Sequence, residues 1–150
     1  MSAHLFIAED ETSIITLLKY NLEKEGHKVS YSENGEDALK QIKDKYPDLI
    51  LMDWMLPDLS GVDICRNLKK DKKFKDIPII MVSAKGEEED KLKAFDTGAD
   101  DYVTKPFSQK ELNARIKSLL RRSKPQSSID VVEFTDLKID RITKRVYRKN

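Results

Sequence analysis

Leu49-Ile50-Leu51-Met52-Asp53-Trp54-Met55-Leu56-Pro57-Asp58-Leu59-Ser60-Gly61 sets an unbroken apolar run directly before an acid, then a turn-rich segment closed by glycine. An apolar run without polar alternation suits a strand covered on both faces, as in a parallel sheet. Comparable runs stand at residues 5–8, 77–82 and 102–103, and Val29-Ser30-Tyr31 alternates between the first run and the one at 49–52. Helical periodicity fills the intervals. Ile15, Leu18 and Leu22 share a face that stops at Gly26, a natural left-handed cap. Ala38, Leu39 and Ile42 mark a second helix before Pro47, Val62, Cys65 and Leu68 a third after Gly61, and Leu92, Phe95 and Ala99 a fourth. Leu112, Ile116, Leu119 and Leu120 mark a fifth, with Ser108 as N-cap and Glu111 completing a capping box.

Strand and helix therefore alternate five times in about 120 residues, which predicts right-handed crossovers on both faces of one sheet. The expected class is α/β, a doubly wound five-stranded parallel sheet of flavodoxin-like form. In such sheets chemistry sits beyond the carboxyl ends of the strands, where the strand order reverses. This body is expected to span residues 1–122. Ser123-Lys124-Pro125-Gln126-Ser127-Ser128 opens a linker over 123–130. Residues 131–150 alternate weakly, like small strands too short to bury a core, and read as the first piece of a second domain.

The composition excludes several classes. Charged residues make up 37% of the chain, yet the formal net charge is only +1, an ordinary aqueous surface rather than a coat for nucleic acid. Residues 124–150 hold seven Lys/Arg against four Asp/Glu, so a slightly acidic body carries a basic tail. A single cysteine, Cys65, leaves no disulfide framework or Cys-based zinc site and reads as a small core residue. No apolar run approaches the ~20 residues that cross a bilayer, and residues 1–8 lack a basic leader, so a cytoplasmic location without membrane attachment is expected.

Acids close two of the predicted strands, Glu9-Asp10 after the first and Asp53 after the third. A lone strand-end acid is ordinarily a solvated loop residue. In a doubly wound sheet these ends are neighbours, so three carboxylates converge, and like charges that close need a cation. Mg²⁺ suits few protein oxygens, because it keeps waters and accepts phosphate oxygens. Ser83 closes the fourth strand and Lys105 follows the fifth, giving a hydroxyl donor and an ammonium suited to an incoming phosphoryl oxygen. Together they describe a phosphoryl-transfer site with Asp53 as nucleophile.

Glu9-Asp10, the run from Asp53 to Gly61, Val82-Ser83-Ala84 and Tyr102-Val103-Thr104-Lys105-Pro106-Phe107 resemble the receiver domain of bacterial two-component response regulators over roughly residues 3–122. Val132-Glu133-Phe134-Thr135-Asp136-Leu137 and Arg145-Val146-Tyr147 are similar to the opening strands of the winged-helix effector of the OmpR/PhoB-type subfamily. The resemblance implies that Asp53 takes a phosphoryl group from a phosphohistidine on a sensor histidine kinase. It implies Mg²⁺, with Mn²⁺ as a substitute, on Asp10, Asp53 and the Met55 carbonyl, assisted by Glu9. Lys105 would pair with the phosphoryl group, Ser83 would donate to it, and Tyr102 would swing inward as the switch. The Lys105–Pro106 bond would be cis. The only catalysis implied is the chain's own phosphorylation and dephosphorylation, and DNA binding is implied for the full-length protein alone.

The same subfamily implies a phosphorylation-promoted homodimer through the fourth helix, fifth strand and fifth helix. Its cross-subunit pairs would be Lys91–Glu111, Asp101–Arg115 and Asp100–Lys117, each used twice about a two-fold axis. Three rival readings differ in their demands. A flavodoxin-like cofactor binder needs a phosphate cradle after the first strand, where Glu9-Asp10-Glu11 repels phosphate. A hydrolase needs a substrate cap that no insertion supplies. A degenerate receiver serving only as a dimerisation module would not need every chemical position filled.

Overall fold

The structure, a computed structural model, describes residues 2–84, 92 and 95–123. Its elements are β1 (His4–Ala8), α1 (Thr12–Lys24), β2 (Lys28–Ser32), α2 (Gly35–Lys45), β3 (Leu49–Asp53), α3 (Gly61–Lys70), β4 (Ile79–Ser83), β5 (Asp101–Thr104) and a final helix, Gln109–Ser123. The strands form one parallel sheet in the order β2-β1-β3-β4-β5. This is the doubly wound α/β sheet expected from the alternation. The chain runs outward from β1 to β2, then returns to the other side of β1 for β3, so the order reverses between β1 and β3.

Every residue of β3 and β4 is buried, as their unbroken apolar runs require. Successive side chains serve opposite faces. Phe6, Ile50, Met52, Ile79 and Met81 pack with Ala38, Ile42, Val62, Cys65 and Leu68 from α2 and α3. Leu5, Ile7, Leu49, Leu51, Ile80 and Val82 pack with Ile15, Leu18 and Leu22 of α1 and with Leu112, Ile116 and Leu120 of the final helix. Each such aliphatic side chain stabilises the fold by about 1.5–3 kcal/mol relative to exposure. β2 lies at the sheet edge, which accounts for its mixed burial and for the alternation of Val29, Ser30 and Tyr31.

Local signals set the helix ends. Gly26, past the end of α1, has φ +95°. Asn34 caps α2 by accepting from the Asp37 N–H at 2.9 Å, and Ser60 caps α3 by accepting from Asp63 N–H at 3.2 Å. Tyr46, not glycine, takes the left-handed cap after α2, and its ring packs at a tilt against Phe74 with centroids 5.3 Å apart. Ser108 accepts from the Glu111 N–H at 3.2 Å, but the expected capping box is only half formed. The Glu111 carboxylate pairs with Arg115 at 3.0 Å instead of reaching back. Of the fourth expected helix, Leu92, Phe95 and Asp96 are helical, while Lys91, the linker from 124 onward and residues 131–150 lie outside the described residues. Among those described, no helix is long and apolar enough to cross a membrane.

Candidate functional site

Register brings the strand ends together. Ala8 of β1 lies beside Met52, Asp53 beside Val82, and Ser83 beside Thr104. The residues that follow those ends therefore share one edge. Glu9, Asp10 and Asp53 each offer a carboxylate oxygen, all within 4.8 Å of one another. Glu9 and Asp53 are almost wholly covered, at 2% and 6% exposure, and Asp10 faces solvent. Gly61, first residue of α3, lets that helix start directly against the end of β3: a Cβ there would collide with the carbonyl oxygen of Asp53.

Lys105 enters from beyond β5, its backbone fixed by the hydrogen bond from its N–H to the Ser83 carbonyl at 2.8 Å. Its ammonium lies 3.0 Å from Glu9, 3.5 Å from Glu11 and 3.7 Å from Asp53. Lys105 is expected to pair with a phosphoryl group on Asp53; without one its nearest partner is Glu9, and Glu11 is a further partner that spacing along the chain does not suggest. The bond between Lys105 and Pro106 is cis. Ser83 is buried at the end of β4, and Tyr102 is buried in β5 with its ring edge-on to Trp54 at 6.3 Å. The Met55 N–H donates to Asp53 Oδ1 at 3.3 Å, with the Met55 side chain exposed.

The electrostatics are strained. Burial, then the neighbouring Glu9 charge, push the Asp53 carboxyl up to about 7, against the opposing pull of Lys105 and the Met55 N–H. Burial disfavours the charged Lys105, but its hydrogen bond to Glu9 and the charges of Asp53, Glu9 and Glu11 carry its pKa upward overall. Among the described residues Lys105 is the only cation within 4 Å of this acid cluster. Three convergent hard oxygen donors with one ammonium between them fit a small divalent cation.

Away from this edge, Arg115 donates from Nη1 to both Asp101 oxygens at 2.8 Å and from Nη2 to Glu111 at 3.0 Å, all within one chain. Asp100 is held by Lys69 at 3.0 Å and by the Ile79 N–H at 2.8 Å, and Lys117 is exposed.

A parallel five-stranded sheet with an acid cluster at its order reversal and a lysine after the last strand defines a receiver. Residues 5–117 match the response regulator receiver domain, and the chain belongs to that family. It is 43% identical over 150 residues to the phosphate regulon transcriptional regulatory protein PhoB of Rhizobium meliloti (strain 1021), covering all of this chain and 66% of that protein. It is 49% identical over 123 residues to the alkaline phosphatase synthesis transcriptional regulatory protein PhoP of Bacillus subtilis (strain 168), covering 82% of this chain and 50% of that one. The chain thus spans less than two thirds of either relative. Among solved structures, the receiver domain of the Francisella response regulator 1452 superposes with a TM-score of 0.77 at 34% identity, over 81% of this chain and 99% of that domain.

Proposed function

We propose that this chain is the phosphoacceptor switch of a two-component system and that Asp53 is its nucleophile. The observation that carries the reading is the convergence of Glu9, Asp10 and Asp53 within 4.8 Å, with the Lys105 ammonium beside them. An Asp53 oxygen attacks the phosphorus of a phosphohistidine on a sensor kinase, the P–N bond breaks, and the histidine nitrogen leaves with the electron pair. Glu9, Asp10, Asp53 and the Met55 carbonyl would hold Mg²⁺, which supplies positive charge against the phosphoryl oxygens. Lys105 provides the second positive charge once it turns from Glu9 toward the phosphoryl group. Ser83 donates its hydroxyl to a phosphoryl oxygen, and Tyr102, packed against Trp54, carries the change to the outer end of the sheet. In the whole protein, residues 123–130 link the receiver to a winged-helix domain that opens at 131–150 and regulates transcription by binding DNA. The reading is tested by intact mass after incubation with acetyl phosphate and Mg²⁺. A gain of one phosphoryl group is expected, and an unchanged mass overturns the assignment.

Mg²⁺ alone should raise the thermal midpoint, because it relieves carboxylate repulsion present in the metal-free fold. At a concentration one hundred times its dissociation constant the gain is about 2.7 kcal/mol. A midpoint that does not move at saturating Mg²⁺ removes the cation from this site.

Phosphorylation should also drive a two-fold dimer through the fourth expected helix, β5 and the final helix. Arg115 is already satisfied by Asp101 and Glu111 within the chain, so dimerisation exchanges partners rather than adding pairs to free charges. The phosphoryl mimic beryllium fluoride should tighten the dimer about 5–150-fold, Arg115→Glu should weaken it, and adding Asp101→Arg should restore part of the loss. Sedimentation decides it: self-association indifferent to the reversal places the dimer face elsewhere.

A further inference from the structure

Asp58 sits in the middle of the loop that follows the phosphoacceptor, with φ +66°, a region that residues other than glycine seldom occupy. The Leu59 N–H donates to the Pro57 carbonyl at 2.8 Å, so Asp58 is the centre of a tight three-residue turn of the strained γ type. Glycine would adopt this turn at lower backbone cost, so the reason for an acid lies in its side chain. Asp58 Oδ1 accepts from the Gly35 N–H at 2.8 Å and Oδ2 from the Glu36 N–H at 3.1 Å. These are the first two residues of α2, whose N–H groups have no carbonyl partner within the helix. Asn34 caps only the next one along, Asp37. Contact here is close, since a Cβ on Gly35 would collide with the carbonyl oxygen of Leu59.

The near end of the same loop touches the chemistry. The Met55 N–H donates to Asp53 Oδ1, the Trp54 N–H to the Val82 carbonyl at 3.3 Å, and the Gly61 N–H to the Trp54 carbonyl at 3.0 Å. Residues 54–60 are thus anchored to Asp53 and β4 at one end and to α2 at the other, through the Asp58 carboxylate and, at a longer 3.3 Å, through the Pro57 carbonyl, which accepts from the Gly35 N–H.

We propose that Asp58 is a positioning residue for phosphoryl transfer: by clamping its loop to the start of α2, it holds the Met55 N–H against the Asp53 carboxylate. Asp58 touches no reacting group and acts through the loop. The proposal rests on the reading of Asp53 as phosphoacceptor.

Two variants test it. Asp58→Gly keeps the positive φ and removes the carboxylate, leaving only the 3.3 Å backbone bond from the Gly35 N–H to the Pro57 carbonyl, whereas Asp58→Asn tolerates the same φ and keeps one acceptor oxygen. In the metal-free chain, hydrogen exchange at Glu36 should accelerate about fivefold in Asp58→Gly, the usual scale for a lost cap, and exchange at Gly35, which keeps the Pro57 carbonyl, by less. Exchange at Met55 should accelerate with them. Trp54 is the only tryptophan and adjoins Asp53, so its fluorescence reports Mg²⁺ binding, expected to weaken several-fold in Asp58→Gly and to recover in large part in Asp58→Asn. The rate of phosphoryl uptake from acetyl phosphate should follow the same order. Faster exchange at Gly35 and Glu36 with Met55 exchange and Mg²⁺ affinity unchanged would make Asp58 a helix cap only and overturn the proposal. If the unaltered chain takes up neither Mg²⁺ nor phosphoryl, the reading of Asp53 fails instead, and Met55 exchange in the metal-free variants still decides whether Asp58 positions the loop.

Discussion

Asp53→Asn is expected to gain no mass from acetyl phosphate and Mg²⁺ while melting higher than the unaltered chain when metal-free at neutral pH. The first result follows because asparagine offers an amide in place of the nucleophilic oxygen at an unchanged volume. A phosphoryl group retained by this variant would assign the nucleophile to another side chain. The second follows from the Asp53 carboxyl being pushed from 3.8 up to about 7 by burial and by Glu9. The folded state then holds a proton that the unfolded chain has released. That contribution is fully present below pH 4 and is lost as pH rises through about 7. Asparagine does not titrate, so the stability difference between variant and parent should open between pH 4 and 7 and level off above. Its size should be on the order of 4 kcal/mol at most, at about 1.4 kcal/mol per pH unit over which the two states differ. Saturating Mg²⁺ should reverse the ranking, since the parent offers the cation three carboxylates and the variant keeps only those of Glu9 and Asp10. Melts across pH, with chelator and with Mg²⁺, read all three features, and a difference that is flat with pH would contradict the strained Asp53.

Gly61→Ala should damage fold and site together. The difficulty is space rather than backbone conformation, because an added Cβ would meet the Asp53 carbonyl oxygen and lie 2.9 Å from Met52 Cγ. β3 cannot yield, being flanked by β1 and β4 and buried throughout. The start of α3 must shift instead, or Asp53 must turn. Overpacking of this kind costs about 1–3 kcal/mol, and a bulkier Gly61→Val should cost more. Urea titration gives the stability loss, and phosphoryl uptake measured on the fraction still folded shows whether Asp53 has moved as well. An unchanged urea midpoint for the alanine variant would mean that α3 and β3 are further apart than the structure has them.

Most of the sheet was legible because its strands are buried on both faces, which removes polar residues from runs such as 49–52 and 77–82. Boundaries were less so: Ile77 and Pro78 precede β4 rather than belong to it, since the ladder begins where Ile79 finds its neighbour Ile50. The acid cluster was legible because strand ends at an order reversal must meet. The preference of Lys105 for Glu9 was not, because a lysine that reaches three acids chooses by distances that spacing along the chain does not encode. Asp58 lay in plain view inside the quoted loop. Its capping role joins residues 22 and 23 positions apart, and a helix start elsewhere in the chain leaves no local mark on the residue that caps it. Glu111 shows the converse, a correct local pattern overridden by Arg115 one turn further along the helix.

The position of β1 has a consequence for synthesis. The strand made first sits inside the sheet, between β2 and β3. As the chain leaves the ribosome, β1 can pair with β2 across α1 once residue 32 has emerged. Its other edge stays open until Leu49 to Met52 arrive to meet Leu5 to Ala8. Until then Leu5, Phe6 and Ile7 belong to a half-built sheet with a bare apolar edge, the condition in which nascent chains are most prone to associate. The same condition then passes to β3 until β4 arrives and to β4 until β5 arrives, so the sheet has a bare apolar edge at every stage before its last strand is made.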